Sequence, residues 1–514
     1  MIPPPIFSGR FPEKTDGASF PRWPRLGAWL LLVGFVTSAP SRANTWIGNT
    51  DANLATIENW TAAPVSGDNW SFGAAGLAGT ALNNNLAAGF TVNGLAFANG
   101  ASNYSLSGNA ISLSNHLSVG TGSQNQVVNL DIHLEGVSRQ INIQNGSVLT
   151  LNGVITGSAL NLNGVGGGQI GRLILTNINT FTGNVTISQG TLEVGRIGNQ
   201  GSTTSNMGAG TTVTIGGGAN PAILNYVGSG ETTNRNIVLV GNGVTHVKNN
   251  GSGALVWNGI IGNGSTTAAR TITLGGTNAD ANTVGSVIAD NGTGTLGVTK
   301  VDSGVWILAG NNTYSGATTI NAGTLIVTGD SSGATGAVAV NAGGTLAGNG
   351  TIGGKVTVAN SVTAVLAPGT LSGATETLAL NNTNLILSGS NSQVKLDIAG
   401  TGAGDFDRIV GIDSFTQAGT VTFTLTGTYT TASWDVFDFA GKTGGFHAIT
   451  LTGSYVGTLT LTDTDLWTGH IGGQDWTFHQ ATGVLTVVPE PATCLLTGLG
   501  LGLVLFRINR RRSP

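Results

Sequence analysis

Residues Gly304 to Val327 read GVWILAGNNTYSGATTINAGTLIV, and this stretch decides the fold. Three short runs, Val305–Leu308, Thr318–Ile320 and Thr324–Val327, are apolar or β-branched and are separated by Asn/Gly turns. Runs of three or four such residues between turn formers predict short strands and leave no space for a helix. The pattern also occurs earlier, in Leu173–Leu175, Asn179-Thr180-Phe181-Thr182-Gly183, Val185–Ile187 and Gly190-Thr191-Leu192-Glu193-Val194. In both copies an aromatic two residues before a Gly (Phe181, Tyr314) leads into a strand, a tight turn and a Gly-Thr-Leu strand. A unit this small cannot bury its apolar face alone, so the repetition predicts stacked layers.

Working outward, candidate rungs recur about every twenty residues from Phe90–Phe97 to Val394–Ile398. The reading is an all-β chain whose central part, residues 73–401, is a parallel β-solenoid (β-helix). Inward Val, Ile and Leu would form aliphatic columns, and Asn or Thr at the turns would form hydrogen-bonded ladders. Roughly fifteen rungs at about 4.8 Å each give a rod on the order of 70 Å long. A series of β-sandwiches is the structural rival, but the close spacing of Ala337–Val340, Gly344–Leu346 and Lys355–Val358 favours the solenoid.

Composition agrees. Of 514 residues, 83 are Gly and only 9% are charged, while 40% are hydrophobic, which is neither a collagen nor a disordered signature. Nine of the 20 basic residues and three of the 24 acidic ones lie in the leader and tail, so the 11 basic and 21 acidic residues of the body leave it near −10. That balance argues against nucleic acid or anionic lipid as a partner. The single Cys494 lies in the tail, so the body has neither a disulfide framework nor a Cys-based zinc site.

The ends carry addressing signals. Residues 1–43 read as a signal peptide: a long basic, Pro-rich start, the eleven apolar residues Leu26–Val36, and a small-x-small site at Ser41-Arg42-Ala43. Residues 44–72 follow, with Trp46, Trp60, Trp70 and Phe72 clustered. A sugar-stacking platform is one use for them, but an N-terminal cap over the open end of a solenoid is the favoured one. Residues 402–488 concentrate Trp434, Phe437, Phe439, Phe446, Trp467, Trp476 and Phe478, as expected of a C-terminal β domain closing the other end. Residues 489–514 then run Pro489-Glu490-Pro491, an apolar segment 492–508, and Arg510-Arg511-Arg512. The apolar run is 17 residues, marginal for a transmembrane helix at about 1.5 Å rise each, and the arginines would stay cytoplasmic.

The repeats at 173–194 and 304–327 resemble the autotransporter-associated β-strand repeat, the first more weakly, with Phe181 in place of Tyr314. That resemblance implies a right-handed β-helix displayed at a cell surface. The tail resembles a PEP-CTERM sorting signal in Pro489, Glu490, Pro491 and the cluster Arg510, Arg511, Arg512. It implies cleavage by an exosortase-type peptidase, transient membrane anchoring by the C-terminal helix, and association with exopolysaccharide. Autotransporters end in a barrel of long alternating strands. The sorting tail stands in that place, so export through a barrel of its own is not expected.

Chemistry is sparse. Asp405 and Asp407, with Arg408 as counter-charge, are the best candidates for the paired carboxylates of a polysaccharide hydrolase or lyase, and strand alternation would put both on one face. The Gly-rich run around them reads equally as a linker or turn. The six His residues (His116, His133, His246, His447, His470 and His479) have no ligand spacing, and His133 with Glu135 lacks the Cys pair a deaminase-type zinc site needs. No metal, cofactor or catalytic residue is expected. The resulting expectation is a non-catalytic secreted or surface-anchored solenoid, an adhesin or matrix protein contacting surface glycans, with a polysaccharide-degrading enzyme as the alternative.

Overall fold

The computed structural model describes residues 41–489, apart from 124, 166–170, 218–219 and 372. Strand Val305–Leu308, strand Thr318–Ile320 and strand Gly323–Val327 form where the sequence places them, and each pairs in parallel with strands from the turns before and after it. The register is a simple stack: Val298, Thr318 and Val338 lie over one another at twenty-residue steps. The described chain is an all-β parallel solenoid of about 17 turns. The pairings are parallel from the first rung, Ala43–Trp46 on Asp68–Phe72, to Ala448–Gly453 on Thr420–Leu425, which excludes a row of antiparallel sandwiches over that span.

From Ser229 to Lys300 each turn has three strands on three faces, as in Ser229–Thr233, Asn236–Val240 and Thr245–Asn249, and farther on the long strands Thr377–Leu387 and Arg408–Gln417 return. Earlier turns use a long bent strand, such as Ile111–Val119 or Ile155–Val165, with a register shift at the bend. Inward columns are as anticipated: Trp306, Leu325, Leu346, Leu366, Val394, Val421 and Ile449 stack in register, and all are buried. Burying each aliphatic side chain contributes roughly 1.5–3 kcal/mol, and stacking lets every rung do so against its neighbours.

Ladders of polar side chains run along the outside. Asn152 Nδ2 donates to Asn129 Oδ1 at 2.8 Å, Asn129 Nδ2 to Ser105 Oγ at 3.0 Å, and Thr176 Oγ1 to Asn152 Oδ1 at 2.7 Å. A second ladder joins Glu193, Asn225, Asn250 and Thr277. Two Asn residues of the repeat instead turn inward. Asn179 and Asn312 each sit four residues before the Gly that follows the aromatic, and each accepts the backbone N–H of the rung below (Ile155 at 2.7 Å, Ile288 at 2.9 Å). Both are buried, and such bonding satisfies a backbone donor at a corner where the ladder breaks.

Lys300 departs from the aliphatic rule. It stands in the inward column between Leu274 and Ile320, fully buried, and its ammonium donates to the carbonyls of Val301, Asp302 and Ala322 at 2.7, 2.8 and 3.0 Å. Burial pushes that ammonium down to about 8. It ties the corner before Gly304 to the corner before Gly323. Gly323 has φ +66, and a Cβ there would lie 2.5 Å from the Asp302 and Gly304 carbonyls and 2.7 Å from Lys300 Nζ, so this corner admits only glycine.

The boundary expected at residue 402 does not coincide with a change of architecture. Arg408–Gln417 and Thr420–Leu425 are still parallel rungs. Antiparallel pairing begins with Gly457–Asp463 and continues through Leu466–His470, Gln474–His479 and Val484–Pro489, onto which Ala432–Asp435 pairs. Gly472 and Gly473 make the turn of one hairpin, with φ +65 and +74, the two-residue geometry that suits a twisted antiparallel pair. Trp434 and Trp476 stack inside this closing sheet at 6.0 Å. At the other end Trp46, Trp60, Trp70 and Phe72 are all buried in mutual contact. Arg42 pairs with Asp68 at 2.8 Å and Ala43 pairs with Asn69, so the small-x-small site expected before Asn44 falls within the first rung.

The rest of the expected signal peptide, residues 1–40, lies outside the described residues, as do Glu490, Pro491, the expected helix 492–508, Arg510, Arg511 and Arg512. Among the described residues no helix is long and apolar enough to cross a membrane.

Candidate functional site

The carboxylates singled out in the sequence do not face one another. Residues 401–405 form a turn, and the strand begins only at Arg408, so strand alternation does not apply at Asp405. Asp405 is exposed and accepts the Gly402 N–H at 3.0 Å within its own turn. Asp407 is buried and accepts the backbone N–H groups of Glu376 at 2.8 Å and Asp397 at 2.9 Å, which fastens three strand ends together. Arg408 pairs with Asp435 at 2.7 Å and with neither expected partner. Burial pushes the Asp407 carboxyl up to about 7, opposed by its two backbone hydrogen bonds and reinforced by the charges of Asp397 and Glu376. His133 bonds Thr156 Oγ1 at 2.9 Å on an exposed strand face. Pro489 closes the last described strand.

A feature that sequence reasoning did not single out is a cleft of about 540 Å³ on the outer face of the sheet formed by Thr245–Asn249, Arg270–Gly275 and Leu296–Lys300. Its floor is a register column, His246, Thr273 and Thr299, flanked by Thr271 and Val301. Gly241–Val244 and Ala269–Arg270 form its walls. The strand position of these threonines was legible; the enclosure was not, because it comes from two loops that leave the rung at neighbouring levels. Arg270 Nη1 donates to the Ala269 carbonyl at 2.7 Å, and its Nε has no partner among the described residues. His246 Nδ1 is likewise buried without a partner there. Burial, then the nearby Lys248 cation, pushes His246 down to about 4, so the ring is neutral at pH 7 and has one donor and one acceptor nitrogen.

His246 and Asp407 predict a pH response with opposing signs. Between 3.8 and about 7 the folded chain keeps a proton on Asp407 that the unfolded chain has lost, so this group makes stability fall as pH rises. Between about 4 and 6.5 the unfolded chain protonates His246 while the folded chain does not, so stability rises with pH. The two oppose each other, and urea midpoints of the unmodified chain are expected to stay nearly level from pH 4.5 to 6.5. Asp407→Asn should give midpoints that rise across that window, and His246→Gln midpoints that fall. Parallel profiles in the two variants would refute the assignment.

The fold and this outer face define a class: a parallel β-solenoid with polar ladders along its outside and clefts where loops leave the stack. The comparisons fall in the same class. Residues 170–194 and 298–327 match the passenger-associated-transport-repeat model. A segment of 108 residues is 44% identical to the adhesin BmaC autotransporter of Brucella suis biovar 1 (strain 1330), covering 21% of this chain and 3% of that protein. The match therefore spans a small part of a much longer relative. In this chain the repeat contributes shape: Trp306 is buried with Nε1 on the Gly275 carbonyl at 2.9 Å, and buried Tyr314 shares a 2.7 Å hydrogen bond with Thr318.

Proposed function

We propose that this chain is an exported, non-catalytic β-solenoid that acts at or beyond the cell surface as an adhesin or exopolysaccharide-associated matrix protein. The observation that carries the reading is the long stack of parallel rungs with hydrogen-bonding Asn, Thr and Ser displayed along its outside. Weak polar contacts repeated along a rigid rod add up when several engage together. A protein named as an adhesin is similar to this chain over 108 residues. The enzyme alternative loses its best pair, because Asp407 is committed to backbone amides and Asp405 to its own turn. A screen of the chain against surface glycans and extracellular polysaccharide tests the reading; retention on none of them would sink it.

The sorting part of the proposal places an exosortase-type peptidase at Pro489-Glu490-Pro491, with the apolar segment 492–508 and Arg510, Arg511, Arg512 holding the chain in the membrane until cleavage. Proline stands on either side of Glu490, a sequence pattern that disfavours helix. Glu490→Ala is expected to leave the tail attached, seen as a heavier chain retained in the membrane fraction. Unchanged mass and location in that variant would reject the assignment.

A further inference from the structure

The cleft over His246 combines three properties. None of its eleven lining residues is acidic, although the body carries a net charge near −10. Its one formal charge, Arg270, faces no carboxylate: the only bond its guanidinium makes among the described residues is to the neighbouring Ala269 carbonyl. The carboxylate next along the wall, Asp302, is already held by Lys248 at 3.0 Å and by the Gly276 N–H at 2.9 Å. Other outer cations are paired, as Arg172 with Glu193 and Arg408 with Asp435, while Arg139 resembles Arg270 in bonding only its preceding carbonyl among the described residues, so it is the cleft around Arg270 that distinguishes it.

A cation left unpaired beside a polar floor favours an anion, and a guanidinium suits a planar carboxylate or a sulfate in particular. The remaining groups suit a polyol. Thr271 and Thr273 on one rung and Thr299 on the next line the cleft with hydroxyls, and neutral His246 on the rung before, whose Nδ1 is buried, has Nε2 left for a ligand. Gly241 and Gly243 have no side chain to fill the wall, and Val244 and Val301 supply the apolar patches against which a sugar ring packs. A volume of about 540 Å³ holds one or two sugar units.

We infer that this cleft is a binding site for an acidic saccharide, with Arg270 on the carboxylate or sulfate and His246, Thr273 and Thr299 on the ring hydroxyls. The inference rests on the adhesive reading and narrows it to one site and one ligand class. Arg270→Gln and Thr273→Val test it without unsettling the rungs, since neither removes a bond between strands. Titration calorimetry on the full chain with digalacturonate, cellobiose and inorganic sulfate is the measurement.

The expected result is binding of digalacturonate in preference to cellobiose and sulfate, weakened about tenfold in each cleft variant and unchanged in Arg196→Gln, which lies outside the cleft. Equal binding of cellobiose, or equal affinity in Arg270→Gln, would overturn the site. Sulfate binding as tightly as the disaccharide would also overturn it, by reducing the cleft to a simple anion site. Glycan retention by the rod that survives Arg270→Gln would leave the adhesive role standing while the cleft assignment falls. A cleft that titrates on a chain retained by no surface glycan would do the reverse.

Discussion

Trp306→Ala is expected to destabilise the central rungs by about 3–5 kcal/mol, the range for removing a buried Trp from a core that only partly collapses. The indole is 1% exposed and faces the same small internal space as Val247, Trp257, Leu274 and Val284. It pairs in register with Asn282 on one side and Leu325 on the other, so its loss opens a gap spanning two rung interfaces. It also removes the indole donor from the Gly275 carbonyl. In a solenoid the cost falls on neighbouring repeats before the whole chain. Hydrogen exchange should therefore speed up first at Asn282–Val284 and Gly323–Val327, while Gln126–Val128 keeps its protection. Trp306→Phe should recover most of the packing and lose the Gly275 bond, placing it between the two. Uniform loss of protection along the chain would show that the rungs do not behave as separable layers.

Much of this architecture was legible because the solenoid repeats one decision many times. Alternation within Thr318–Ile320 or Val356–Val358 assigns in and out, a Gly or Asn marks the corner, and the next rung repeats the test. What stayed hidden depends on pairs far apart in the chain. Lys300 was not singled out from the sequence, and the register puts it inside, where three carbonyls surround it. Asp405 and Asp407 look equivalent at a spacing of two, but the turn before Arg408 sends one out and the other in. The Gly472-Gly473 pair was a readable sign of a hairpin, and with it of the switch from parallel to antiparallel pairing. The cleft had no local sign, since loops about 26 residues apart make its walls.

These cases share a cause. Where the rung is regular the chain is scaffold, and what is specific to this molecule arises where a loop leaves the stack or a polar side chain turns inward. The ends obey the same logic: a solenoid core must be covered where stacking stops, and the buried Trp residues at 46, 60 and 70 and at 434 and 476 supply that cover. Their burial uses up the aromatic surface that would otherwise suggest a sugar-stacking platform at either end.

Arg235→Met is expected to release the loop between Val194 and Thr212 at a cost of about 3 kcal/mol, the scale of leaving buried carbonyls without donors. Arg235 is fully buried, with Nε on the Gly198 carbonyl at 3.1 Å, Nη1 on the Gly210 carbonyl at 2.5 Å, and Nη2 on the Gly208 carbonyl and on Ser205 Oγ at 3.3 Å. Its own carbonyl accepts Trp257 Nε1 at 2.6 Å, which links the loop to the next rung. Burial pushes the guanidinium down to about 10, partly countered by Glu231, so the side chain remains charged at pH 7. A five-donor fork meets four acceptors here, and a Met of similar length fills the space while meeting none of them. Arg235→Lys keeps the charge on a single nitrogen that cannot reach acceptors spread along the fork, so it should recover only part of the loss. The measurement is limited proteolysis and hydrogen exchange over residues 195–211. Cutting and exchange should accelerate in the order wild type, Lys, Met, while Thr318–Ile320 stays protected. If the Met variant left that loop as resistant as the wild type, the loop would be held by its own packing at Ile197 and Met207, and the buried arginine would be ruled out as its anchor.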